Sequence, residues 1–179
     1  MERILQLKIS LKESSPPVWR RLLVPGSTTL SECHEILQTV MGWTNKHLHQ
    51  FHHGQHLLTL SDEEGKAKQN GENLSLDTLL KRVDDAITYE YDFGDRWQHK
   101  ISLEKILDPA DYSDYPLPYC MEGEGACPPE DCGGIKGYRK LLAARITSGD
   151  AGQEGVSEWL GENWNAEIFD AALVNKSLR

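Results

Sequence analysis

One stretch of the sequence, from Tyr119 to Gly134, limits what this chain can fold into more than any other. It reads YCMEGEGACPPEDCGG and combines three cysteines, two prolines, four glycines and four carboxylates. Glycine and proline require particular backbone angles, and a regular helix or strand does not accommodate this mixture. The stretch therefore predicts a long, shaped loop, and such loops in compact domains are usually functional or held in place by other groups.

The composition is that of a globular protein rather than a disulfide-stabilised or membrane-spanning one. A chain of 179 residues with 39% hydrophobic residues can bury a core without disulfides. No apolar run approaches the length of a membrane span, and the N-terminus does not resemble a signal peptide. We therefore expect a cytoplasmic protein, in which cysteines are more often free, metal-bound or reactive than paired.

The net charge of −9 disfavours a protein that grips nucleic acid over its whole surface. The charge is uneven, because residues 1–58 contain six Lys or Arg against four Asp or Glu, and six of the seven histidines. Nucleic-acid binding by this part is an alternative, supported also by the sequence Trp19-Arg20-Arg21. The simpler interpretation of that triplet is a strand with Trp19 half buried and both arginines in solvent.

Hydrophobic patterning predicts strands and helices along the chain. Alternation predicts a hairpin from strands at Ile4–Leu11 and Val18–Val24. Thr29 and Glu32 form a capping-box pattern for a helix that ends at Gly42, with Cys33 on its buried face. Further strands are predicted at 47–54, 87–93 and 97–106, the last two as a hairpin. A polar loop is predicted at 62–73, a short helical turn at 74–80, and helices near 135–146, 156–160 and 168–173.

This order of elements predicts an α+β fold. Up to residue 93 it is similar to a β-grasp (ubiquitin-like) mixed sheet, to which a hairpin strand and a helical C-terminal extension are added. Residues 1–107 would form this core. Residues 108–179, with the cysteine loop and the C-terminal helices, would pack on the same core to give a single domain overall.

Three thiols in the shaped loop form a candidate zinc site. Cys120, Cys127 and Cys132 follow a C-x6-C-x4-C spacing, and thiolates are good zinc ligands. His99 is the first candidate for a fourth ligand, and His47 or His49 could replace it. The usual C-x2-C pair is absent, so free and partly buried cysteines are the alternative.

Four carboxylates form a second candidate site, flanked by turn-forming glycines. They are Asp92, Asp95, Glu130 and Asp131, and with His99 they could hold a hard cation in a hydrolase or nuclease. Alternatively, Asp95 supports a turn while Glu130 or Asp131 caps the following helix. A Cys127–His99 nucleophile is a further possibility, although nothing in the sequence orients the pair.

Four blocks of sequence carry a family resemblance. They are 17–21, 42–43 with 47–51, 91–99, and 127–134 with 137–138. Together, and in this order over most of the chain, they resemble the plasmid pRiA4b ORF-3-like family. The resemblance implies a protein of plasmids and insertion elements, some of whose relatives are described as resolvase-like regulators of transposition. It implies no established activity, and no feature of a serine recombinase is present.

The expected function is that of a non-enzymatic interaction or accessory module of mobile elements, with a protein partner and a structural zinc knot. The alternatives are a metal-dependent hydrolase or nuclease and a nucleic-acid-binding protein. Closed thiolate coordination would favour the first, and an open metal position among the carboxylates would favour the second.

Overall fold

The fold, given by a computed structural model, is described over residues 3–60, 71–147 and 164–179. Its strands are β1 (Ile4–Leu11), β2 (Trp19–Pro25), β3 (His49–His53), β4 (His56–Leu60), β5 (Ala86–Tyr91), β6 (Trp97–Leu107) and β7 (Tyr119–Glu124). Its helices are α1 (Leu30–Met41), α2 (Leu76–Leu79), α3 (Gly134–Thr147) and α4 (Ala171–Ser177), with a 3-10 turn at Pro109–Tyr112. No helix in these ranges is both long and apolar enough to cross a bilayer.

The seven strands form one sheet in the order β4-β3-β5-β6-β1-β2-β7. The predicted α+β class and the hairpins β1–β2 and β5–β6 are confirmed. Every pairing between these strands is antiparallel, so the sheet is not the mixed sheet that a β-grasp requires. The β-grasp assignment is therefore not confirmed.

Helix α1 begins and ends as its sequence predicts. The Thr29 side chain accepts a hydrogen bond from the Glu32 N–H, and the Glu32 carboxylate accepts one from the Thr29 N–H. Gly42 ends the helix in the left-handed conformation, with φ of 82°. Cys33 is 4% exposed and belongs to the same hydrophobic core as the strand residues. Leu30 and Leu37 of the helix are buried in this core, and burial of each contributes about 2 kcal/mol.

The shaped loop predicted at 119–134 is a loop only in its second half. Residues 119–124 form β7, an edge strand that pairs with β2 and contacts α4. Strand β4 was not predicted. The last helix occupies Ala171–Ser177, later than predicted, and the helix predicted at 156–160 lies outside the described residues.

Arg20 is buried, so the prediction that both arginines point into solvent is wrong. The side chain is 1% exposed, and its guanidinium donates hydrogen bonds to the carbonyls of Val40, Trp19 and Glu124. It also lies 3.8 Å from the ring centroid of Phe169. Backbone carbonyls thus satisfy this cation inside the fold, which removes it from any nucleic-acid surface.

Candidate metal centre

His47, Asp92 and Asp131 bring their side chains together at one end of the sheet. The His47 Nε2 atom lies 3.1 Å from Asp131 Oδ1 and 3.7 Å from Asp92 Oδ2. Within the described ranges, this is the one group of three or more His, Cys, Asp or Glu side chains whose ligand atoms all lie within 4.8 Å of one another. The group combines Asp92 and Asp131, from the predicted carboxylate cluster, with His47, which is predicted only as an alternate ligand of the zinc site.

The pairing of β3 with β5 explains why His47 and Asp92 meet. The strands are antiparallel with His49 opposite Tyr91, so the residues before β3 and after β5 lie at the same end of the sheet. The Asp92 N–H donates to the Leu48 carbonyl at 2.8 Å, which extends this contact beyond the ladder. His47 therefore reaches Asp92 through strand register, not through closeness in sequence.

Asp92 is held in a tight turn that fixes one carboxylate oxygen. Its φ is 60°, a left-handed conformation that aspartate tolerates better than most residues. Oδ1 accepts hydrogen bonds from the N–H groups of Gly94 at 2.8 Å and Asp95 at 3.2 Å. The other oxygen, Oδ2, is the one nearest His47. The turn thus orients Asp92 before any ligand binds.

Glu130 positions Asp131 without joining the group. Its Oε1 accepts a 2.6 Å hydrogen bond from the Tyr91 hydroxyl, and its Oε2 accepts one of 2.5 Å from Thr44. Burial opposes ionisation of Glu130, but the side-chain hydrogen bonds from Thr44 and Tyr91, together with a backbone hydrogen bond from Thr44 and the nearby His47, lower the pKa of the carboxyl. Glu130 is therefore a charged anchor for the loop at 125–133.

Asp95 also supports the loop. Its Oδ2 accepts a 3.1 Å hydrogen bond from the Gly133 N–H, which ties the turn after β5 to the start of α3. Of the four predicted carboxylates, Asp92 and Asp131 thus join His47, while Asp95 and Glu130 hold the two loops in register.

The His47 Nε2 atom is a candidate ligand atom for a cation. Although Asp131 Oδ1 is near, the buried Nε2 atom makes no hydrogen bond of acceptable geometry with any residue that the structure describes. The Asp131 side chain is 66% exposed, so the group opens to solvent on that side. One imidazole and two carboxylates are ligands typical of divalent first-row metals, and three protein ligands leave open positions.

His99 lies in the core, away from this group. It is fully buried on β6, with its ring 5.2 Å from the Trp43 ring and 5.5 Å from the Tyr89 ring. Burial lowers the pKa of His99 to about 3, so the imidazole is neutral at physiological pH. His49 is stacked on His34 at 3.6 Å between ring centroids, and burial lowers the pKa of His49 also to about 3.

The thiols of the predicted zinc site lie in two different settings. Cys120 is buried in β7, where the Asn175 side chain bonds both its N–H and its carbonyl. Cys127 and Cys132 are partly buried in the following loop. Burial raises the pKa of Cys120 to about 11 and of Cys132 to about 12, so both are protonated thiols at neutral pH.

The three thiols and His99 do not form a group as close as His47, Asp92 and Asp131. Zinc binding by the thiols remains a prediction, and a metal ion would have to displace their protons. One pattern in the sequence does indicate the group formed by His47, Asp92 and Asp131. A histidine just before one strand and an aspartate just after another become neighbours once the two strands pair antiparallel.

Comparisons with known proteins give a consistent relationship over nearly the whole chain. A family model described as plasmid pRiA4b ORF-3-like protein matches residues 3–173. The uncharacterized protein y4hQ of Sinorhizobium fredii is 36% identical over 97% of this chain and 87% of its own length. The crystal structure of MM3350, a protein of unknown function from Methanosarcina mazei Go1, superposes with a TM-score of 0.78. The two share 30% identity over 100% of this chain and 99% of that one.

Proposed function

Because this chain belongs to the plasmid pRiA4b ORF-3-like family, whose matching relatives are described without an activity, we propose a function from the site itself: a divalent-metal-dependent hydrolase. One observation carries the proposal. His47, Asp92 and Asp131 come from three separate segments of the chain and converge with their ligand atoms within 4.8 Å of one another.

The ligand set favours a catalytic over a structural metal. Structural zinc sites are closed by four protein ligands, whereas catalytic sites keep a position for water or substrate. A metal held here by three side chains would lower the pKa of a bound water and polarise a substrate oxygen. Oxygen-rich coordination with one imidazole favours Mn²⁺, with Zn²⁺ as the competing ion.

The supporting contacts are those that a metal site requires. Ligands need neighbours that orient them, and losing such a neighbour typically weakens metal binding 10- to 100-fold. Here the Asp92 turn is fixed by backbone N–H groups, and the Asp131 loop is fixed through Glu130 and Asp95. The two carboxylates outside the group thus have a role in holding it.

The first experiment is titration of the metal-free protein with Mn²⁺, followed by electron paramagnetic resonance. We expect one bound ion per chain and a loss of binding of at least tenfold in Asp131→Asn and in His47→Gln. The matched controls are Asp111→Asn and His53→Gln, two exposed residues outside the group. Equal Mn²⁺ binding by Asp131→Asn and wild type would reject the metal centre.

Hydrolysis is then measured with chromogenic carboxylic and phosphoric esters, with Mn²⁺ and with EDTA. We expect turnover that requires Mn²⁺ and is absent in Asp92→Asn. A bound ion without turnover of any ester would reject the hydrolase and leave a metal-binding accessory module. Zinc found together with three protected thiols would support the structural knot expected from the cysteine spacing.

A further inference from the structure

A basic groove lies directly beside the candidate metal centre. It is a cavity of about 550 Å³, and the same two loops that carry Asp92 and Asp131 supply part of its wall, at residues 94–96 and 133–134. Four cationic side chains line it, together with two carboxylates; they are Lys12, Arg96, Lys136 and Arg139, with Glu13 and Asp95. The groove is thus positively charged in a chain whose net charge is −9.

The cations of the basic groove are only weakly neutralised by protein groups. Lys12 Nζ contacts the Thr88 hydroxyl at 3.4 Å, and Arg139 donates to the backbone carbonyl of Glu13 at 2.8 Å. Arg96 lies 3.6 Å from Glu90, the one ion pair that these four side chains make within the described ranges. Asp95 already accepts a hydrogen bond from Gly133. Four like charges around one cavity repel one another, and an anion would relieve that repulsion.

We propose that the basic groove binds the phosphate groups of a small phosphate-bearing ligand, such as a pyrophosphate or a nucleoside diphosphate. Guanidinium groups bind phosphate through paired hydrogen bonds, and lysines add charge. The cavity has the size of a small-molecule site. A nucleic-acid strand would need a larger basic surface, which the overall charge disfavours.

The position of the groove beside the metal centre makes its phosphate ligand a candidate substrate of the proposed hydrolase. A phosphate held between Lys136 and Arg139 would lie against the loops that end at the metal ligands. The inference deepens the proposed function, because it names the substrate class of the hydrolase. The affinity of the basic groove for phosphate, however, depends on the groove cations and not on the metal. The phosphate site and the metal centre can therefore fail separately.

The test is isothermal titration calorimetry of the full chain with inorganic pyrophosphate in EDTA at low ionic strength. We expect saturable binding that weakens about tenfold or more in the double variant Lys136→Gln/Arg139→Gln. The control is Lys100→Gln/Lys105→Gln, which removes the same charge from two exposed lysines of β6 outside the groove. It should bind pyrophosphate as wild type does.

Further titrations distinguish a phosphate site from a general anion site and from a nucleic-acid site. Malonate binding as tightly as pyrophosphate would overturn the phosphate specificity, and equal losses in both double variants would reduce the effect to overall charge. Binding of a single-stranded oligonucleotide without binding of pyrophosphate would overturn the small-ligand assignment.

Titration of the same variants with Mn²⁺ distinguishes the phosphate groove from the metal centre of the proposed function. Lys136→Gln/Arg139→Gln should keep wild-type Mn²⁺ affinity, and Asp131→Asn should keep pyrophosphate binding in EDTA. Mn²⁺ binding without pyrophosphate binding would reject the phosphate groove alone. Pyrophosphate binding without Mn²⁺ binding would reject the metal centre alone.

Discussion

The Tyr91 hydroxyl donates a 2.6 Å hydrogen bond to Glu130 Oε1, which joins the end of β5 to the loop before α3. Each of these residues is the direct neighbour of a candidate ligand, Asp92 in one case and Asp131 in the other. The same hydroxyl accepts a 3.0 Å hydrogen bond from the N–H of Lys46, the neighbour of His47. A single phenol therefore ties together the three segments that form the metal centre.

Replacing Tyr91 with Phe should weaken the metal centre without unfolding the protein. The ring keeps its packing against Trp43, at 5.0 Å between centroids, but both hydrogen bonds are lost. We expect Mn²⁺ affinity to fall about tenfold, as for other residues that orient metal ligands. The free energy of unfolding should fall by about 2 to 3 kcal/mol, because one of the two lost hydrogen bonds is to a carboxylate.

The measurements are Mn²⁺ titration and urea denaturation of the same samples. Tyr112→Phe, in the 3-10 turn at Pro109–Tyr112, removes a hydroxyl outside the metal centre. It should change neither the Mn²⁺ affinity nor the free energy of unfolding. Unchanged Mn²⁺ affinity in Tyr91→Phe would show that Tyr91 does not organise the ligands.

Arg20 should contribute strongly to stability. Its guanidinium satisfies the carbonyls of Val40, Trp19 and Glu124 in a site that is almost closed to water. Arg20→Met keeps most of the side-chain volume but removes these donors, so we expect the free energy of unfolding to fall by about 3 kcal/mol. Arg82→Met, at an exposed position, should stay within about 0.5 kcal/mol of wild type.

Urea denaturation of both variants decides this prediction. A loss below about 1 kcal/mol for Arg20→Met would mean that water or other groups replace the guanidinium, and that the buried cation is not an essential part of the fold.

Most of the fold could be predicted because its signals are local. The alternation of β1 and the capping box of α1 lie within a few residues of each other in sequence. Strand β7 differs from the prediction because the glycines and prolines of 119–134 indicate a loop, and only the pairing with β2 makes residues 119–124 a strand. The burial of Arg20 could not be predicted, since its partners are carbonyls brought close by tertiary packing.

The candidate site was predicted only in part, for the same reason. Asp92 and Asp131 were named from their turn-rich surroundings, which are visible in the sequence. Their partnership with His47 depends on β3 lying beside β5 in one particular register. His99 is the preferred fourth ligand from sequence because it lies on the predicted hairpin just before the connector to the cysteine loop, but the alternation of β6 directs it into the core.

Gly137 should be required despite lying inside α3. Alanine normally stabilises a helix relative to glycine by about 1 kcal/mol. Here a Cβ atom at Gly137 would lie 1.7 Å from the Cys132 carbonyl oxygen, a contact that forces the backbone to move. We expect Gly137→Ala to lower the free energy of unfolding by about 2 kcal/mol.

The displaced backbone would be that of Cys132, the residue after Asp131, so Mn²⁺ affinity should fall as well. Lys140→Ala, at an exposed position of the same helix, should be neutral or slightly stabilising. A gain of stability in Gly137→Ala would show that helix propensity outweighs the close approach of the loop.

The buried His99 should make stability sensitive to acid. Burial lowers the pKa of His99 to about 3 in the folded protein, whereas an unfolded histidine titrates near 6.5. The unfolded chain therefore takes up a proton first as the pH falls. Stability from this residue is fully present above about pH 6.5 and is lost between that pH and the folded pKa, by about 2 kcal/mol between pH 7 and pH 5.

The measurement is the free energy of unfolding at pH 7 and pH 5 for wild type, His99→Leu and His56→Gln. We expect His99→Leu to lose about 2 kcal/mol less than wild type over this interval, whatever its stability at pH 7, because the titrating group is gone. His56 is exposed, and its replacement should leave the difference unchanged. An equal loss in wild type and His99→Leu would mean that the acid sensitivity arises elsewhere, with the stacked pair His34 and His49 as the next residues to replace.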